Sequence, residues 1–208
     1  MLWHSLSVPN PIAFAVGSVL LKATGWKLVT AGSMPRSFVA IAAPHTSNWD
    51  FPYTLATAWC LRTEFKYLGK HTLFTGPFGW FFKAMGGIPV DRRAPQGLVS
   101  QVVQQFRDNP SLIVAVPPEG TRGRVSYWKS GFYHIAHGAN VPIGLGYLDF
   151  GRRQCGIGGF IQPTGDLHAD MDKIRAFYKD IRGKRPDRES PVCLREEDTR
   201  DVQPGAAP

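Results

Sequence analysis

The sequence predicts a single α/β domain, a mainly parallel or mixed sheet flanked by helices, with an apolar helix ahead of it. Three observations lead there. Short apolar runs rich in β-branched residues alternate with longer stretches of helical spacing, the pattern of strands joined by crossover helices. The 208 residues suffice for one domain with a full core. Polar, glycine-containing segments close several of the apolar runs, where α/β sheets gather their sites.

Taken in order, the elements begin with Ile12–Leu21, which is nearly all apolar. A helix of that length rises about 15 Å, half of a hydrocarbon core of about 30 Å, and is too short to span it. A secretory signal would need positive charge ahead of the run, and Met1–Asn10 offers only His4. Two readings stay open: a helix lying in the membrane interface, anchored by Trp3, Phe14 and Trp26, or a helix packed in the core. Phe38–Ala43, Phe65–Leu68, Ser111–Val116, Pro142–Leu148 and Ile157–Ile161 read as strands. Pro52–Arg62, Thr72–Met85, Gln96–Arg107, Gly131–Gly138 and Asp170–Ile181 read as helices. Gln96–Arg107 is the clearest, because Leu98, Val99, Val102, Val103 and Phe106 share one helical face and D-N-P ends it. After Ile181 proline, glycine and mixed charge dominate, which predicts a loose tail. The division is therefore residues 1–30 as an apolar segment, 31–182 as the domain and 183–208 as the tail.

The formal charge is +8, unevenly placed: from Gly183 onward there are five basic and six acidic residues, so the body before it carries +9. A basic body suits an anionic partner such as a phosphorylated substrate or an anionic lipid surface. The basic residues are scattered and form no nucleic-acid motif, so no nucleic-acid partner is expected. Cys60, Cys155 and Cys193 stand far apart with no C-x-x-C pair, which predicts neither a disulfide framework nor a cysteine zinc site and fits a reducing compartment.

Four polar segments carry the chemistry. In P-H-T-S-N-W-D-F, Pro44–Phe51, a histidine and a carboxylate stand five positions apart directly after an apolar strand. One continuous helix would hold His45 and Asp50 about 140° apart around its axis. Pro44 disfavours helix before it, and Thr46, Ser47 and Asn48 are capping types. A strand, a tight loop and a helix whose first turn holds Asp50 would let the carboxylate orient the imidazole, which then serves as a general base. Ser47 reads as a helix cap. G-G-I-P-V-D-R-R, Gly86–Arg93, follows the aromatic run Phe78–Phe82, and P-P-E-G-T-R, Pro117–Arg122, follows Ser111–Val116. The latter is an anion site in outline: Gly120 permits close approach, Thr121 offers a hydroxyl and Arg122 a bidentate donor. Glu119 would order Arg122 or bind a substrate hydroxyl. Arg92, Arg93 and Lys70 add positive charge. Val141–Tyr147 is the fourth segment.

In order and spacing these segments resemble the glycerophospholipid acyltransferase family, whose best-known members are the lysophosphatidic acid acyltransferases. The family carries H-x-x-x-x-D, then G-x-I-x-x-D-R, P-E-G-T-R and V-P-I. Here these are His45…Asp50, Gly87–Arg92, Pro118–Arg122 and Val141–Ile143, a likeness covering roughly Phe38–Leu148. The opening P-H rather than N-H, and P-P-E before the third motif, resemble a short bacterial subgroup. The resemblance implies transfer of a fatty acyl group from an acyl thioester, acyl-CoA or acyl carrier protein, to the hydroxyl of a lysophospholipid such as 1-acyl-glycerol-3-phosphate. It implies His45 and Asp50 as catalytic, and Arg92, Glu119, Gly120, Thr121 and Arg122, with Lys70 and Lys129, around the acceptor. It implies no resident cofactor and no metal, backbone N–H groups as the oxyanion donors, and a peripheral place on the cytoplasmic face of the cell membrane. An acceptor without phosphate (an aminolipid or polyol), a non-catalytic basic membrane-binding protein and a histidine–carboxylate metallohydrolase are the alternatives. The oligomeric state is not read from the sequence.

Overall fold

The computed structural model describes residues 11–90 and 95–200. Within them lies one seven-stranded mixed sheet flanked by helices. Its strands are β1 (Lys27–Leu28), β2 (Phe38–Ala43), β3 (Phe65–Lys70), β4 (Gly87–Val90), β5 (Ile113–Val116), β6 (Ile143–Asp149) and β7 (Gln154–Ile161), in the spatial order β1-β7-β6-β2-β5-β3-β4. β2 pairs in parallel with β5 on one side and β6 on the other, and β3 and β4 continue the parallel run. Only the β6–β7 pairing is antiparallel. The helices are α1 (Pro11–Ala23), α2 (Asp50–Cys60), α3 (Thr72–Thr75), α4 (Gly79–Ala84), α5 (Pro95–Asp108), α6 (Gly131–Ala139) and α7 (Leu167–Tyr178).

β2 explains why its sequence is continuously apolar. Val39, Ile41 and Ala43 pack into the core that contains Phe132, Ile135, Met171 and Ile174, while Phe38 and Ala40 face Ile113, Ala115 and Ile157 on the other side. A central parallel strand covered on both faces has no solvent side to alternate with. α5 shows the opposite case. Val102 and Phe106 are buried and Gln101, Gln104 and Arg107 exposed, the stripe expected of a helix with one covered face.

α1 lies on α2, burying Ala13, Gly17 and Leu21 at four-residue spacing. A methyl group on Gly17 would stand 2.9 Å from the Ala56 carbonyl oxygen, so the two helices meet at a point where only hydrogen fits. Ile12, Val16 and Val19 remain exposed on the outer face of α1.

Three expectations need correction. The single helix Thr72–Met85 is two short ones, because Pro77 lacks an N–H and Gly76 is extended, turning the chain until Gly79 sits against the Phe74 carbonyl. β4, absent from the sequence reading, contains Pro89 and is an edge strand, the position where a sheet tolerates proline. The tail from Gly183, expected to be loose, is held against the domain as far as it is described. Leu194 is fully buried and bridges Trp128, Gly183 N–H donates to Glu189 at 2.6 Å, and Arg175 pairs with Glu197 at 2.5 Å. One buried leucine and several polar ties outweigh the low apolar content that suggested disorder.

Candidate active site

Because β2, β5, β3 and β4 run parallel, the segments that follow them all leave the same edge of the sheet. His45 follows β2, Glu119 follows β5 and Lys70 closes β3. Val141–Ile143 is the exception. Ile143 pairs with Val39 at the start of β2, so this motif lies at the opposite edge and is core, with Ile143 wholly buried.

The loop after β2 begins with a cis Ala43–Pro44 peptide and is organised by one carboxylate. Asp50 accepts the Thr46 and Ser47 backbone N–H groups at 2.7 and 2.8 Å and the Ser47 hydroxyl at 3.0 Å. His45 Nδ1 lies 3.2 Å from the same carboxylate. Burial pushes the Asp50 carboxyl up, but the bonds from His45 and Ser47 more than offset it and hold it below its ordinary range. The magnitudes agree: an unpaired buried charge costs several kcal/mol, and each hydrogen bond to a charged group returns about 1.5–3 kcal/mol. With Nδ1 engaged by an acceptor, it carries the proton and Nε2 keeps its lone pair. Asp50 is 4% exposed and the His45 ring 20%; the carboxylate is sealed while the imidazole reaches solvent. Ser47 is not the cap of α2. Trp49 holds that position without a side-chain bond, and the Ser47 hydroxyl bridges Asp50 and the Trp49 N–H.

Glu119 stands behind this loop, 3% exposed, and accepts the His45 backbone N–H at 3.0 Å. Burial raises its pKa, and the His45 N–H only partly offsets the rise. Its expected partner, Arg122, is exposed and makes no ion pair among the described residues. Gly120 adopts φ +67 and Lys129 lies over it; a methyl there would stand 3.0 Å from Lys129 Nζ. The structure thus brings Lys129 to the Gly120–Arg122 turn. Thr121 is exposed and its hydroxyl accepts the Gly123 N–H at 3.4 Å. Arg92 and Arg93, and the side chain of Lys70, lie outside the described residues.

Beneath His45 and Asp50 an apolar cavity of about 50 Å³ runs between α2 and the sheet, lined by Ala40, Ala42, Ala58 and Ile157 among others. Small residues on β2, α2 and β6 leave this space open. Gly146 is required there because a methyl would stand 2.4 Å from the Ile41 carbonyl.

Several residues that build the site carry no signal in the sequence. Thr46 is fully buried and takes the Arg185 N–H at 3.2 Å, and Gly183 presses on it so closely that a methyl would lie 2.8 Å away. Tyr178 is buried and donates to the Gly146 carbonyl at 2.7 Å; burial, then Glu119, holds its hydroxyl well above the usual range. The N–H that the Thr46 hydroxyl takes belongs to a residue 139 positions away, beyond any local pattern.

An acyltransferase family model matches residues 32–144, more than half of the chain. The crystal structure of PlsC from Thermotoga maritima, a 1-acyl-sn-glycerophosphate (LPA) acyltransferase, is similar with a TM-score of 0.53 and 18% identity, covering 83% of this chain and 80% of that one. At that identity the likeness shows the fold. No curated protein matches. The chain belongs to the acyltransferase family.

Proposed function

We propose that this acyltransferase moves a fatty acyl group from an acyl thioester, acyl-CoA or acyl carrier protein, to the hydroxyl of a lysophospholipid such as 1-acyl-glycerol-3-phosphate. The observation that carries the reading is the His45–Asp50 pair, 3.2 Å apart, at the sheet edge and above an apolar cavity. His45 Nε2 takes the proton of the acceptor hydroxyl as its oxygen attacks the thioester carbonyl. A C–O bond forms, the tetrahedral adduct collapses, the C–S bond breaks, and the imidazolium returns the proton to the departing thiolate. Asp50 holds the tautomer and balances the imidazolium, as the aspartate of a triad does when the attacking oxygen belongs to the substrate.

The loop's own bonds refine the scheme. The N–H groups of His45, Thr46 and Ser47 already donate to Glu119 and Asp50, so the oxyanion donors, expected among backbone N–H groups, belong outside these three. Ser47 donates to the Asp50 carboxylate rather than to the His45 imidazole, which argues against an acyl-serine intermediate. The cavity below His45 suits the start of the acyl chain, and Arg122 with Lys129 suits the acceptor phosphate.

Membrane contact is part of the proposal. No helix of the described residues is long and apolar enough to cross a membrane. Exposed Ile12, Val16 and Val19 on α1, and Phe78, Trp80 and Phe81 at α4, suit a peripheral position on the cytoplasmic face of the bilayer. The deciding assay follows thiol release from acyl-CoA with 1-acyl-glycerol-3-phosphate and with non-phosphorylated lysolipids. Release that requires the phosphorylated acceptor is expected; release without any acceptor preference would overturn the phosphate assignment.

A further inference from the structure

Glu119 faces two ways. One carboxylate oxygen holds the His45 N–H; the other, buried, meets no hydrogen-bond partner among the described residues. The indole N–H of Trp128, 4% exposed, is also without a partner there. Both residues line a second cavity of about 560 Å³, on the side of the catalytic loop away from the apolar one. Pro44 forms part of its floor. α7 supplies one wall, with Asp172 and Arg175 on the face it presents and Lys179 capping its C-terminal end, and residues 189–192 supply the other.

The walls are tied in place. Arg175 donates to the Val192 carbonyl at 3.1 Å, Ser190 accepts the Val125 N–H at 3.1 Å, and Arg182 stands 3.6 Å from Glu189. Charge around the rim is nearly consumed: Arg175 pairs with Asp172 and Glu197, and Arg182 with Glu189. Lys179 makes no ion pair among the described residues. The cavity thus holds one spare acceptor, one spare donor and one spare cation, in a volume far above the roughly 30 Å³ that one water occupies. Buried polar atoms are expected to find partners when a site is filled.

We infer that this cavity is a binding site for a small hydroxylated anion. A hydroxyl on it accepts from Trp128 Nε1 and donates to the free oxygen of Glu119, while its anionic group meets Lys179. Because the other oxygen of Glu119 holds His45, occupancy is felt at the catalytic loop. That coupling rests on the function proposed above; the binding site does not.

The test uses full-length protein with 15N-labelled indoles and glycerol 3-phosphate as probe, beside lysophosphatidate, glycerol and inorganic phosphate. Glycerol 3-phosphate is expected to move one indole N–H resonance saturably, the one missing from Trp128→Phe. Lys179→Ala should weaken that binding about tenfold, the loss of one charge-assisted contact, and His45→Ala should bind like the wild type. Lys179 is exposed, so its variant folds, and the affinity comparison stands even if Trp128→Phe does not. A response to lysophosphatidate alone identifies the source as a lipid head; a response to both identifies a shared headgroup. No saturable movement with either, equal affinity in Lys179→Ala, or inorganic phosphate binding as tightly as glycerol 3-phosphate would overturn the inference. Absence of acyl transfer by the wild type would sink the proposed function and leave this binding intact.

Discussion

The loops after β2 and β5 leave neighbouring strands at one edge of the sheet, and they are built on opposite principles. In the first, the carboxylate, the serine hydroxyl and three backbone N–H groups are spent inward. Asp50 gathers two backbone N–H groups, a hydroxyl and the imidazole, and Glu119 takes a third N–H. In the second, Glu119 is buried but Thr121, Arg122 and Arg124 reach solvent, and the guanidinium of Arg122 pairs with nothing among the described residues. On the proposed function, an imidazole that takes the acceptor's proton must be preorganised before substrate arrives, and its loop is closed upon itself accordingly. On the same reading, a turn that binds phosphate gains by keeping its donors uncommitted until the anion supplies the acceptors. The difference separates a loop that orients from a loop that waits.

Four measurements would break or sharpen that contrast. The largest effect should come from His45→Ala, which removes the proposed base and leaves the Asp50 bonds to Thr46 and Ser47. Acyl transfer is expected to fall about ten-thousandfold while the protein still folds, its melting temperature lowered only by the lost Asp50 bond; near-normal turnover would remove His45 from the chemistry. Asp50→Ala strikes the loop as well as the base. The buried Thr46 N–H and the partly buried Ser47 N–H lose their acceptor, at about 1–3 kcal/mol for a buried group, and thermal unfolding should show a lower melting temperature at neutral pH. The folded carboxyl lies below its unfolded value, so the stability it contributes is present above the ordinary carboxylate range and lost as pH falls through the folded value. The variant should lack that acid limb.

Arg122→Ala should behave differently from both. Its side chain is exposed, so stability should stay put. The KM for a phosphorylated acceptor should rise about tenfold, while steady-state kinetics with a non-phosphorylated acceptor should barely change. A large drop in melting temperature instead would mean that the second loop is closed like the first. The smallest effect is expected for Glu119→Gln, where an amide oxygen can still take the His45 N–H. Glu119 is raised in the folded state. Its contribution is therefore greatest in acid and lost as pH rises from the ordinary carboxylate range through the folded value. Melting curves of the variant, compared with wild type across that range, should show the rising-pH loss flattened; parallel curves would mean that Glu119 ionises freely.

How far the site was legible depends on how local its bonds are. Asp50 and its partners lie within five residues, so proline, capping types and the carboxylate mark the loop in the sequence itself. The strands were readable where they are long and central, as β2 is, and unreadable where two residues pair at an edge, as β1 does, or a proline sits in one, as in β4. Aromatic density in Thr72–Met85 hid the break at Gly76–Pro77, since burial of Phe74 depends on a fold-back that hydrophobic spacing does not encode.

The sequence by itself determined the family, the alternating α/β architecture and the loop that brings His45 to Asp50, because short-range spacing and strand composition dictate them. Tertiary structure alone decided which way Glu119 faces, that Gly183 and Arg185 brace Thr46, and that residues 189–192 wall a second cavity. Those contacts join positions separated by tens to more than a hundred residues. They arise only once the parallel sheet has carried distant strand ends to a common edge.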